Sequence, residues 1–104
     1  MIRKDLLLIP GCKKISIINI NEYKLIKIIE VLNSNWICGV CMLNQNMLLT
    51  GDSKGKIKQW RIEGDNLILI FTKENAHNYC INVLLNMGDG HIVSCSDDCT
   101  IKIW

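Results

Sequence analysis

The 104-residue chain contains a single proline, no strong excess of either charge and no long apolar run. With 49 % hydrophobic and 21 % charged residues, a disordered or collagen-like chain is excluded. Twelve Lys and Arg against ten acids give a formal charge of +2, which lacks the basic bias of a nucleic-acid-binding domain. The longest apolar stretches, LLLIP (6–10) and LILIF (67–71), fall far short of the ~20 residues of a membrane-spanning helix. The start, MIRKDLLLIPG, is charged, but its apolar stretch is shorter than the roughly 7–15 residues of a signal h-region, and Asp5 precedes it. The expectation is a cytoplasmic chain of one domain, without membrane or nucleic acid as partner. Catalytic signatures are also scarce. Gly51, Gly55 and Gly64 lack the spacing of a phosphate loop or dinucleotide fingerprint, and no pair of carboxylates stands out beside an apolar stretch.

Six cysteines are present: Cys12, Cys38, Cys41, Cys80, Cys95 and Cys99. Without a secretory signal, and set mostly in apolar strand-like runs, they read as reduced, buried, small hydrophobes. Cys38-Gly39-Val40-Cys41 is the one pair that invites a metal or redox reading. It lies in WICGVCML, a strand pattern, and residues three apart in a regular strand point to opposite faces. A second CxxC is missing, so neither a metal nor another cofactor is expected.

What the sequence does hold is a β cadence. Ile- and Val-rich runs recur at 6–9, 14–20, 24–29, 36–43, 47–51, 56–62, 67–72, 79–85, 91–95 and 100–104. Between them stand Asn21-Glu22, Asn44-Gln45-Asn46, Ser53-Lys54-Gly55, Gly64-Asp65-Asn66, Gly88-Asp89-Gly90 and Asp97-Asp98, residues that favour tight turns. No helical periodicity of ten residues or more competes. The pattern predicts an all-β fold of antiparallel hairpins.

The cadence also repeats. Trp60 and Trp104 are 44 residues apart, and at that offset LLTGDSKGKIKQW (48–60) overlays IVSCSDDCTIKIW (92–104). A weaker copy, LLLIPGCKKISII (6–18), places Ile18 where the others have tryptophan. A repeat of this length with four short strands has the size of one propeller blade, ~40–45 residues.

IVSCSDDCTIKIW, with Ala76-His77 ahead of the strand YCINVLL, resembles the core of a WD repeat. The resemblance implies an incomplete WD-repeat β-propeller of four-stranded blades lying side by side. Strands b-c-d of a first blade would span about 5–31, a whole second blade about 36–73, and strands a-b-c of a third about 79–104. Propellers close with typically 4–8 blades, so the missing blades are expected from a longer chain rather than from self-association.

The family pattern further implies a structural network in the third blade. Asp98 would bond His77, His77 a strand-b hydroxyl (Ser94 or Ser96), and that hydroxyl the indole of Trp104. A buried indole N–H or imidazole left unpaired costs about 1–3 kcal/mol, which is the physical need for such a chain. The same three residue types could suggest a hydrolase triad, but their order and packed context fit a staple. The middle repeat keeps Trp60 but carries Lys54 for Asp98 and Asn33 for His77, with Gly55 supplying the turn. That blade is expected to rest on packing alone. The first repeat has Ile18 for the tryptophan and Cys12 for the turn aspartate.

In an antiparallel blade, the b–c turns and the d–a connections share one end. Trp36, Tyr79, Ser53, Lys54 and Asp97 fall there, and aromatics at a rim make good anchors for a peptide. Trp36 and Tyr79 could equally serve as inter-blade packing. His91 reads as an exposed strand end, and Lys56 and Lys58 as a solvated strand face. By resemblance, the chain is expected to be a non-catalytic scaffold for protein partners. The alternative is a substrate-recognition region of a multidomain enzyme such as a ubiquitin ligase or kinase.

Overall fold

A computed structural model of the chain describes residues 6–11, 13–19, 21–31, 35–64 and 66–104. Cys12 and Asn33, the counterparts of Asp98 and His77 in the earlier repeats, lie outside the described residues. Among the described residues there is no helix. Ten strands follow in order: β1 (Leu6–Gly11), β2 (Lys14–Asn19), β3 (Lys24–Glu30), β4 (Ile37–Met42), β5 (Met47–Asp52), β6 (Ile57–Glu63), β7 (Asn66–Lys73), β8 (Ile81–Asn86), β9 (Ile92–Ser96) and β10 (Ile101–Ile103).

The strands form three antiparallel sheets, ordered β1-β2-β3, β4-β5-β6-β7 and β8-β9-β10. The sheets lie side by side as blades. β8 packs against both β4 and β5, β1 packs against β4, and β3 touches β7. β1 stands to β4 as β5 stands to β8, so the first sheet meets the second as the second meets the third.

Strand alternation builds the core between sheets. Leu48 of β5 joins Ile15, Val31, Ile37 and Trp60 in a cluster between the first and second sheets. Its neighbour Leu49 points the other way, joining Ile57, Ala76, Ile81 and Leu84 between the second and third. Burial of one such leucine is worth about 1.5–3 kcal/mol, so β5 is held from both faces. Glycine sets how closely the inner strands approach. A Cβ at Gly51 would sit 2.5 Å from Ile81 Cγ2, and one at Gly39 would sit 3.3 Å from the Leu84 amide nitrogen.

Two expectations are corrected here. Pairing of β4 with β5 slips between Ile37 and Gly39, and the resulting bulge at Cys38 breaks the alternation that would separate the two CxxC thiols. Cys41 packs against the cluster between the second and third sheets, and the Cys38 thiol donates to the Trp36 carbonyl at 3.7 Å. The strand after Gly88-Asp89-Gly90 begins at Ile92, and His91 stays in the preceding turn, bonded to Asp89 at 3.0 Å.

Candidate functional site

The connection from β7 to β8 carries Ala76, His77 and Tyr79, and the turn from β9 to β10 carries Asp97, Asp98 and Cys99. Both sit at one end of the third sheet, where their side chains meet. His77 Nδ1 lies 3.0 Å from Asp98 Oδ2, His77 Nε2 lies 2.7 Å from Ser94 Oγ, and Trp104 Nε1 donates to Ser94 Oγ at 2.9 Å. The indole can only donate, so Ser94 Oγ accepts it and gives its own proton to Nε2. The imidazole N–H is then on Nδ1 and points at the carboxylate. Each polar atom in the chain is used.

Ser94 rather than Ser96 is thus the hydroxyl of this network. Ser96 serves the turn instead: its Oγ accepts the Asp98 amide at 3.1 Å and donates to the Tyr79 carbonyl at 3.1 Å. Thr100 is a member that sequence reasoning missed. Its hydroxyl bonds Asp98 and lies 3.0 Å from His77 Nδ1, and its amide donates to Asp98 Oδ1 at 3.0 Å. The Asn78 amide adds a further donor at 3.0 Å. The Asp-x-Thr spacing carried this signal, because a hydroxyl two residues beyond a turn aspartate can reach back to it. Thr100 is the largest cause holding the Asp98 carboxyl well below the usual aspartate range, followed by Asn78 and His77. Lys102, also missed, caps the arrangement by donating to the Ala76 carbonyl at 2.7 Å.

Ser94, His77 and Asp98 have the connectivity of a nucleophile, base and orienting acid. Ser94 is 0 % exposed, and the indole occupies its oxygen. A nucleophile must reach a substrate carbonyl, and this one reaches none.

The second sheet holds more than packing, which corrects the expectation for that blade. Trp60 Nε1 donates to Thr50 Oγ1 at 2.9 Å, the counterpart of the Trp104–Ser94 bond. Its turn carboxylate is Asp52, two positions before the Lys54 that overlays Asp98. Asp52 Oδ1 accepts the amides of Lys54 and Lys56, both at 2.9 Å, and Asp52 Oδ2 accepts Asn35 Nδ2 at 3.2 Å. The aspartate still ties its turn to the connection entering its own blade.

The two tryptophans differ in cover. Trp60 is 7 % exposed beneath β7 and the first sheet, whereas Trp104 is 39 % exposed. Trp104 lines an apolar groove of about 260 Å³ with Leu43, Leu49, Phe71 and Ile92, and Lys73 and Lys102 stand 5.7 and 5.9 Å from its ring.

The remaining residues expected at this end are also there. The Ser53 amide donates to the Trp36 carbonyl at 2.8 Å, and the Asp97 amide to the Cys80 carbonyl at 3.0 Å. Trp36 and Tyr79 are 61 % and 64 % exposed, so their rings are not inter-blade core. Lys54 is exposed, Ser53 half-buried, and Asp97 accepts a bond from Asn82 Nδ2. Among the described residues, no three His, Cys, Asp or Glu side chains group as metal ligands.

Residues 67–104 match the family described as WD domain, G-beta repeat. Among solved structures, the chain is similar to the computationally designed Ika4 protein, with a TM-score of 0.64 and 20 % identity over 100 % of this chain and 62 % of that one. It is also similar to a chain in the crystal structure of the Mitotic Checkpoint Complex, with a TM-score of 0.72 and 14 % identity over 98 % of this chain and 32 % of that one. The chain therefore spans less than two thirds of either match, and at these identities the likeness is one of fold, antiparallel sheets side by side as the blades of a β-propeller. The His77–Ser94–Asp98–Trp104 network lies within the matched residues 67–104, while the Asp52–Asn35 arrangement lies in the sheet before them.

Proposed function

We propose that the chain is a non-catalytic scaffold that offers the end bearing Trp36 and Tyr79 to protein or peptide partners. One observation carries this reading: two aromatic rings, one at the entrance of each of two neighbouring blades, stand mostly in solvent on backbones held by hydrogen bonds. Exposed aromatics on a fixed frame lose little entropy when a partner covers them. Ser53, Lys54 and Asp97 supply polar groups around them. In this reading the remaining blades come from a longer protein, the setting is cytoplasmic, and no cofactor takes part. The closed Ser94 hydroxyl supports the non-catalytic assignment.

The test is selection of a displayed peptide library on the chain, followed by titration of labelled winners. Trp36→Ala and Tyr79→Ala are each expected to weaken binding about tenfold or more, the size of a strong interface contact. Leu25→Ser, on the outer strand β3, is expected to leave it unchanged. Equal affinity in all three variants, each folded by circular dichroism, would overturn the proposal.

A further inference from the structure

The outer edges of the three sheets, β3, β7 and β10, differ in how they would receive another strand. Lys27 stands at the midpoint of β3 and Lys102 at the midpoint of β10. Two copies meeting antiparallel at either midpoint would set like charges opposite each other, which keeps an edge strand single. β7 has no such guard. It carries no charge from Asn66 through Thr72, and Ile68, Leu69, Ile70 and Phe71 are all exposed. Among the described residues, no strand lies beyond it.

β7 is also self-complementary. Its ladder with β6 slips between Gln59 and Trp60, which leaves Ile70 as an extra residue. Ile68 pairs with Arg61 and Phe71 with Gln59, so both point to the side of the third sheet, where Phe71 and Gln59 line the groove beside Trp104. Leu67 pairs with Ile62 and Thr72 with Lys58, so these point to the side of the first sheet, where Leu67 and Ile62 pack against the cluster of Trp60. The Ile62 amide donates to the Asn46 carbonyl, away from β7. Leu67 opposite it therefore turns its own amide and carbonyl to the open edge, and by the same alternation Thr72 does too.

We propose that two copies of the chain pair antiparallel along β7, joining two four-stranded sheets into one about a two-fold axis. Asn66 then faces the partner's Lys73, Leu67 the partner's Thr72, Ile68 the partner's Phe71 and Leu69 the partner's Ile70. The bulge is what makes this register possible. It brings Ile68 and Phe71 to one face and Leu67 and Thr72 to the other, so each pair meets on its own side of the joined sheet. Leu67 and Thr72 exchange their outward hydrogen bonds, and no like charges stand opposite. Such a contact uses the same surface on both copies and closes after two. Neither Trp36 nor Tyr79 takes part, so the pairing is independent of the docking reading.

The experiment is sedimentation velocity on the full chain carrying Val83→Lys and Ile101→Lys, so that the apolar outer face of the third sheet takes no part. The expected result is a mass that doubles with concentration. Ile70→Lys is expected to weaken the pair about tenfold or more, because the two-fold axis puts both lysines in one interface. Asn66→Glu, facing the partner's Lys73, should tighten it about threefold, and Ile28→Lys on β3 should leave it unchanged. Circular dichroism checks the fold of each variant. If the double-lysine chain does not fold, the β7 substitutions are read against the wild-type chain instead. A chain that stays monomeric at about 100 μM would overturn the pairing, even one that takes up an extended peptide along β7. So would a dimer that Ile70→Lys leaves intact, or one that Asn66→Glu fails to tighten.

Discussion

The His77 amide donates to the Gly55 carbonyl at 3.0 Å, joining the network residue of the third blade to the turn of the second. The contact runs both ways in space. Gly55 has φ +82°, and a Cβ placed there would collide with the His77 carbonyl oxygen and lie 2.7 Å from its carbon. Blade-to-blade register at this end is therefore set by backbone touching backbone, and the imidazole is aimed at Ser94 from a position that the preceding blade fixes.

Gly55→Ala is expected to destabilise the chain by about 3 kcal/mol, combining a left-handed backbone with a clash against a main chain that cannot give. Gly88 has a similar φ, +85°, but open space around it. Gly88→Ala should cost only about 1 kcal/mol, the backbone part alone. Denaturant midpoints of the two variants separate the terms, and equal losses would show that the inter-blade contact carries no weight.

Each of these two indoles donates to one hydroxyl, Thr50 for the buried Trp60 and Ser94 for the more exposed Trp104. Ser94→Ala removes the partner of both the indole and His77 Nε2, and is expected to cost about 1–3 kcal/mol. Thr50→Val keeps the shape and loses one bond, so its cost should be smaller, about 1 kcal/mol. Because the sequence carries Asn33 where the third repeat has His77, the order of the two losses checks which blade depends more on its polar chain.

All ten strands were legible in the sequence, their ends within one or two residues, because alternation and turn residues act locally. His77, Asp98 and Trp104 were legible only through the repeat, since they lie far apart in the chain and meet only once the blade has folded. Three features stayed hidden for physical reasons. Asp52 moved two positions from the place of Asp98, and an alignment by position looks only at Lys54. The bulge at Cys38 turns one side chain without any marker residue. The exposure of Trp36 and Tyr79 depends on how the blades pack, which composition leaves open.

Acid should weaken the third blade in a defined window. The Asp98 carboxyl is held below its ordinary range in the folded chain, chiefly by Thr100. A depressed folded value means that the ionised group contributes stability above the unfolded aspartate value, about pH 4, and loses it as pH falls further. The thermal midpoint of the wild-type chain is expected to drop steeply below about pH 4, and that of Asp98→Asn to start lower and fall less. Parallel curves for the two proteins would place the acid sensitivity elsewhere.

The outer face of the third sheet should govern association. Strand pairing sets Val83 and Ile101 on either side of Cys95, and Leu85 and Ile103 on either side of Val93, giving two apolar rows across three strands. Val83, Leu85, Ile101 and Ile103 are exposed, and none of the six side chains carries a formal charge. A continuous apolar face of this kind is normally covered by a neighbour in a repeat array. The isolated chain is therefore expected to self-associate at micromolar concentration, and Val83→Lys with Ile101→Lys to shift it toward the monomer in sedimentation velocity, because two charges per face oppose its burial. A wild-type chain that sediments as a single monomer and unfolds in one sharp transition would show that the face is stable in water.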